Sequence, residues 1–267
     1  MATKTSNYWE RREQKAKTAL FNKSKKEIEK ELAKEYKASA EKVRLLMSDL
    51  YYDLATNKRG YVLISDLYKY NRYYDLINSI NKELLALGQK EVKICNKAFI
   101  TMYEANAKII DKSLNITYTP DKKAAERVIH TIWTDDGKSW SSRIWKNNAA
   151  LVERLETGLF ETVSSGFSKD KLVKSVKDSF NTRFYEADRL VRTELSHIQN
   201  QSTLDRYKKA GIEQYEFLAE LDERNCKICG SLNGKQFNIK DIEVGVNYPP
   251  MHANCRCTTI PVLNHKK

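Results

Sequence analysis

Glycine and proline are scarce in this chain, 9 and 4 of 267 residues. So few turn-formers argue against a collagen-like chain or a loop-rich β-sandwich, and a 41% hydrophobic content argues against a disordered tail. No run approaches the roughly 18–20 consecutive apolar residues that a membrane-spanning helix needs. The first ten residues, Met1 to Glu10, are polar and lack the apolar segment of a secretory signal. The expectation is a protein made in the cytoplasm that stays there, or that leaves only by lysis or inside a particle. Cysteine is also rare, five in all. In a reducing compartment, clustered cysteines are metal ligands more often than disulfides.

Charge and helical periodicity are what the chain has in quantity. The formal net charge is +12, and it is unevenly placed. Residues 1–150 hold 29 Lys/Arg against 19 Asp/Glu, a surplus of +10, while residues 151–267 hold 18 against 16, a surplus of +2. Such a surplus suits contact with nucleic acid or another acidic surface. It equally suits a solvated helix face, because Lys far outnumbers Arg and acids are interleaved throughout.

Between Ser24 and Leu54 the apolar residues Ile28, Leu32, Tyr36, Val43, Leu46 and Leu50 recur at helical spacing, one buried stripe with Lys and Glu opposite. Asn57 to Gly60 read as a turn. A Tyr-rich helical run then covers about Ser65 to Leu87 and stops at Gly88, and a third covers about Glu91 to Leu114. After a break at Tyr118 to Asp121, helices are expected over about Ser141 to Val163, from an N-cap at Ser168 along Leu172, Val173, Val176 and Phe180, and over Phe184 to Ala210 with Gly211 as the stop. Tyr215, Phe217, Ala219 and Leu221 then alternate with polar or outward positions, a strand pattern. Short elements follow, with three of the four prolines. The fold class read from this is mainly α: long helices, then a small C-terminal zinc-stapled α+β segment. The expected regions are a basic helical part over 1–120, a second helical part over 121–212, and a small Cys/His segment over 213–267.

Four of the five cysteines lie in that last segment, as Cys226-Lys-Ile-Cys229, then 22 residues, then His252-Ala-Asn-Cys255-Arg-Cys257. A Cys-x-x-Cys turn puts two sulfurs on one side of a tight loop, and the second cluster can complete a tetrahedral zinc site. The segment is too small to hold together by apolar burial alone, and a metal would supply the missing folding energy. A disulfide and a redox-active pair remain as other readings. Five candidate ligands, Cys226, Cys229, His252, Cys255 and Cys257, compete for four positions. In an extended Cys-Arg-Cys both sulfurs point the same way, so both could bind and leave His252 outside the donor set. Cys95 sits in a helical run and reads as a small core residue. His130 and His197 are lone histidines that read as packed or surface residues.

The residues Arg189-Leu-Val-Arg-Thr-Glu194, Asn200, Tyr207, Leu221-Asp-Glu-Arg224, the two Cys clusters, Leu232-Asn-Gly-Lys-Gln-Phe237 and Pro249-Pro250 resemble the Mu F-like phage head-morphogenesis family. Upstream, Trp133, Gly137 and Trp140 to Trp145 are similar to the Gram-positive phage branch of its minor head proteins. The likeness runs from about Ile132 to Pro261. Ala253 stands where proline is common and Asn225 where threonine is common, and neither removes a ligand. The resemblance implies a structural minor capsid component of the virion that associates with the portal, and with capsid and scaffold proteins, during assembly. Some relatives are implicated in DNA packaging or are delivered with the genome, and some carry an appended toxin or ADP-ribosyltransferase domain. The sequence ends six residues after Pro261, from which no such appended domain is expected.

On the residues themselves, Arg192 is expected to fork onto a carboxylate or carbonyl of the Cys/His segment. Asp222 is expected to fix the first turn by accepting backbone N–H bonds, with Arg224 beside it. Leu232 and Phe237 should form a small core under the ion. Two rival functions have distinct signatures. A zinc-dependent nuclease or deaminase needs an open metal position and a general base, and Asp222, Glu223 and Asp241 have no partnering His motif. A nucleic-acid-binding module would use the basic helical half, because only Lys227, Lys235, Lys240 and Arg256 lie near the Cys clusters. No catalytic residue is expected.

Overall fold

Long uninterrupted helices follow directly from the near absence of helix breakers. The computed structural model describes residues 4–55, 64–119, 121–165, 169–220, 222 and 226–263. Its helices are α1 (Lys4–Ala55), α2 (Ile64–Tyr68), α3 (Arg72–Ser113), α4 (Lys122–His130), α5 (Trp140–Ser164), α6 (Lys169–Lys209) and the short α7 (Lys227–Leu232). Three strands, β1 (Gln214–Leu218), β2 (Gln236–Asn238) and β3 (Thr258–Val262), form one antiparallel sheet in the order β2-β1-β3. The chain is mainly α with a small sheet near the C-terminus, as the sequence pattern implies. The expected turn at Asn57 to Gly60, the N-cap Ser168, and Leu221, Glu223, Arg224, Asn225 and His265 lie outside the described residues.

The chain divides into two compact units that interleave along the sequence. One is built from residues up to Ile28, Cys95–Ser139 and the residues from Arg189 onward. The other is built from Glu29–Ile94 and Trp140–Asp188.

In the second unit the α1 stripe is buried as expected at Leu32, Tyr36, Val43 and Leu50, but the buried residue of the next turn is Met47, with Leu46 half-buried beside it. The expected stop at Gly88 is absent, and α3 runs straight through it. A Cβ at Gly88 would lie 2.5 Å from both Asn148 Nδ2 and Trp145 Cζ3 of α5. The glycine is therefore a point of close helix approach, not a terminus. The helices expected on either side of Phe184 are likewise one, α6.

A polar cluster is sealed in this same core. Arg183 is fully buried and donates to Glu91 Oε2 at 2.6 Å and to Asn148 Oδ1 at 2.9 Å. The Tyr36 hydroxyl donates to the same Glu91 oxygen at 2.8 Å, and Asn148 Nδ2 donates to the Leu84 carbonyl at 3.1 Å. Burial pushes the Glu91 carboxyl up and Arg183 opposes it. Each ion here is tolerated only because the other is present.

Two outcomes are expected in urea unfolding of the full chain. Gly88→Ala should lower stability by about 1–3 kcal/mol through overpacking, although the same change in an open helix gains up to about 1 kcal/mol. A raised midpoint would show that the crossing is looser than described. Glu91→Ala should cost about 3–5 kcal/mol by stranding Arg183, and a second change, Arg183→Met, should restore part of that loss. Independent, additive losses would contradict a coupled pair.

Candidate metal centre

The first unit carries the Cys/His segment, and α6 is its platform. Three side chains of α6 reach main-chain groups of the second Cys cluster and the strand after it. Thr193 Oγ1 accepts from the Asn254 N–H at 3.1 Å, Asn200 Nδ2 donates to the Cys257 carbonyl at 3.2 Å, and the Tyr207 hydroxyl donates to the Thr259 carbonyl at 3.2 Å. Asn254 itself sits at φ 64°, a left-handed position that asparagine tolerates. From α1, the buried Lys17 also donates to the Thr259 carbonyl at 2.8 Å while pairing with Glu13 at 2.8 Å. The Tyr248 hydroxyl returns to the Asn200 carbonyl at 2.6 Å. Tyr207, Tyr215, Tyr248, Leu204 and Ile110 form the apolar core under this platform.

The first cluster is held by its own turn. Cys226 caps α7: its sulfur accepts from the Cys229 N–H at 3.3 Å, and its carbonyl accepts from the Gly230 N–H at 2.9 Å. After α7, Gly234 takes φ 77°, so that its N–H reaches the Phe217 carbonyl at 2.8 Å. Asn233 Oδ1 accepts from the Ala219 N–H at 2.9 Å. The Leu232-Asn-Gly-Lys stretch is thus the clasp between α7 and β1. Leu232 and Phe237 pack on Phe217, Ala219 and the cysteines, the small core expected of them.

Asp222 has a long-range partner beyond the turn that the sequence assigns to it. Its carboxylate takes both ends of the Arg256 guanidinium, at 2.6 and 2.5 Å, and so joins the approach to the first cluster directly to the second. Arg192 is half-buried, and Glu194 is buried with its carboxylate accepting from Trp133 Nε1 at 3.0 Å. Trp133 stacks on His197 at 4.4 Å. His197 is buried in this stack, His130 is exposed, and Cys95 is buried in the helical core.

The five expected donors fall into two triads that share one residue. Cys226, Cys229 and His252 have donor atoms within 4.8 Å of one another, as do Cys229, Cys255 and Cys257, so Cys229 is common to both triads. All five cysteines are free thiols. Donors on one tetrahedral zinc stand about 3.5–3.8 Å apart, given the usual Zn–S and Zn–N lengths. His252 Nε2 is 3.3 Å from Cys229 Sγ, close to that spacing. The Ala253 carbonyl lies 2.8 Å from His252 Nδ1. A carbonyl only accepts, so Nδ1 carries the proton and Nε2 presents its lone pair to the sulfurs. These groups could hold a metal ion.

The packed thiols shift one another in opposite directions. The Cys257 thiol holds Cys255 down to about 5, while Cys257 is pushed up in return and burial pushes Cys229 up to about 12. The Cys229 backbone N–H lowers Cys226. Packed thiols cannot all ionise against one another, and a divalent cation removes that conflict.

A helical chain with a small sheet and a Cys/His cluster is the class of protein that fold and site define. Residues 153–260 match the phage Mu protein F like protein family. An uncharacterized protein of Haemophilus influenzae is 25% identical over 116 residues, 43% of this chain and 26% of its own length. A protein named NAD(+)–arginine ADP-ribosyltransferase EFV, of Enterococcus faecalis, is 26% identical over 143 residues, 48% of this chain and 29% of its own length. The matched stretches therefore span under a third of either relative. No solved structure matches. No described helix is long and apolar enough to cross a membrane.

His197 supplies a pH test of the α6 platform. Burial holds its imidazole down at about 3, against an ordinary value near 6.5. Between those values the unfolded chain takes up a proton that the folded chain refuses. The folded state is therefore least penalised above pH 6.5 and loses stability as the pH falls toward 3, by up to about 1.4 kcal/mol per pH unit. His197→Gln should flatten the decline in urea midpoint between pH 7 and pH 5, and identical declines in both proteins would refute the assignment.

Proposed function

We propose that this chain is a structural minor head protein of a tailed bacteriophage, acting in head morphogenesis, with a zinc ion closing its C-terminal segment. The observation that carries the reading is the coincidence of the family match over residues 153–260 with two metal-type donor triads, joined through Cys229, in that same stretch. The two triads together offer five donors, more than a four-coordinate structural zinc needs, whereas a hydrolytic zinc keeps one position open to solvent. The ion would lock the two Cys clusters together, and this chain's residues would supply the platform on which assembly partners dock. The expected partners are the portal and the capsid or scaffold proteins. The protein would be in the host cytoplasm during assembly and in the virion afterwards. Any DNA contact falls to the basic half, residues 1–150, where the surplus is +10.

The name of the Enterococcus relative favours a second reading, an enzyme. Sharing 29% of that protein's length supports it only if the shared stretch holds the transferase site. Incubating the purified full chain with NAD+ and an arginine acceptor tests this directly, and transfer of ADP-ribose would displace the structural reading. Metal-dependent cleavage of plasmid DNA, abolished by Asp241→Asn, would favour a nuclease.

For the zinc, the full chain should purify with about one equivalent of metal. Cys229 belongs to both triads, so Cys229→Ser should release the ion and open residues 214–262 to protease. His252→Ala and Cys257→Ser, each with a fifth donor in reserve, should weaken binding and still retain metal. Less than half an equivalent in the parent protein, with a digestion pattern unmoved by chelator, would end the zinc reading. Co-purification with the portal that survives nuclease treatment tests the assembly role separately.

A further inference from the structure

A groove of about 580 Å3 runs between α1 and α6 within the unit formed by Glu29–Ile94 and Trp140–Asp188. Its base is apolar: Tyr36, Val176 and Phe180 are buried beneath it, and the half-buried Val173, Phe184 and Ala40 with the exposed Ala33 form the surface that solvent reaches. Its banks are basic. Lys37 and Arg44 lie on the α1 side and Lys177 on the α6 side, and both lysines are exposed. The acid on these banks, Glu41, is held by Arg44 in a two-pronged pair at 2.8 and 2.6 Å. The solvent ridge of α1 extends the basic bank, because exposed Lys30, Lys34 and Lys37 follow one another at spacings of four and three residues.

An apolar groove between two helices suits the anchor side chains of a third helix. Duplex DNA would use the lysines but would leave the apolar surface unused. A second copy of a chain with net charge +12 brings the wrong sign to a basic rim. We propose that the groove is a docking site for an amphipathic helix of a partner protein whose apolar stripe is flanked by Glu or Asp. The apolar stripe would seat on Ala33, Val173 and Phe184, and the acidic flanks would meet Lys37 and Lys177. The proposal depends neither on the metal nor on the head-protein reading, and its test uses neither.

The test is fluorescence anisotropy of labelled synthetic helical peptides titrated with the full chain. One peptide carries leucines at helical i, i+3, i+4 and i+7 spacing with Glu on both flanks. A twin carries Lys on the flanks, and a third has the acidic peptide's composition in scrambled order. The acidic peptide should bind at least about tenfold more tightly than either control. Ala40→Trp, which fills the groove, should weaken it about tenfold or more. The double change Lys37→Glu and Lys177→Glu, on exposed positions, should weaken the acidic peptide, improve the Lys-flanked twin and flatten the salt dependence. Circular dichroism checks that each variant is folded, and the surface pair decides the matter if Ala40→Trp does not fold. Equal binding of the three peptides, or binding indifferent to the surface pair, overturns the proposal. So does a dimer in sedimentation that Ala40→Trp dissociates, or a duplex oligonucleotide that displaces the peptide from the parent protein.

Discussion

Main-chain groups of the C-terminal segment are fastened to side chains of one helix, and the rest of that segment is arranged around this fact. Strands of five, three and five residues bury too little to stand alone. Helix α6 supplies what they lack. Thr193, Asn200 and Tyr207 follow one another at intervals of seven residues, two turns of helix, so they lie along one face. Each meets a main-chain group of Asn254, Cys257 or Thr259. The second Cys cluster is thereby laid along the helix, and the first is brought to it by the β1–α7–β2 clasp and by the Asp222–Arg256 pair.

This explains why the donors can be placed before any ion is considered. Backbone positions are set by hydrogen bonds to carbonyls and N–H groups, and sulfurs and imidazole follow from those positions. The cost is electrostatic. Bringing Cys229, Cys255 and Cys257 together in a buried place sets thiols against each other, so that one is driven down and its neighbours up. A divalent cation bound there would let neighbouring thiols ionise together.

The fold class, the α1 stripe, the strand around Tyr215 and Phe217, and the proximity of the two Cys clusters are legible from periodicity and spacing. What escaped was of three physical kinds. Gly88 looks like a stop in one dimension, and only the position of Trp145 and Asn148 makes it a crossing. Buried charges were invisible: Arg183, Glu91 and Lys17 read as solvated residues because hydrophobic periodicity assigns ions to the surface, whereas the fold buries them in pairs. The Asp222–Arg256 pair is not legible in the sequence because Arg256 is far along the chain and sits inside the Cys-Arg-Cys motif. The motif residues Thr193, Asn200 and Tyr207 were noticed through the resemblance, but their shared function along one helix face appears only with the coordinates. A compact unit assembled from three separate stretches of chain is likewise beyond a linear reading.

The two ways of holding the Cys/His segment differ in reach, and that bears on what a metal would contribute. The α6 bonds and the core of Tyr207, Tyr215 and Tyr248 secure β1, β3 and the second cluster without any donor taking part. The first cluster has less: a six-residue helix, one clasp through Asn233 and Gly234, and an ion pair that solvent partly reaches. Exposed pairs of that kind contribute at most about 1 kcal/mol. An ion bound across the two clusters would therefore add its binding energy mainly to the weaker side, Cys226 through Leu232, because the stronger side is already fixed. Cys229 is the hinge of that division. It is buried against Phe217, Cys255 and Cys257 and yet belongs to the weaker loop, so it couples the ion to the sheet.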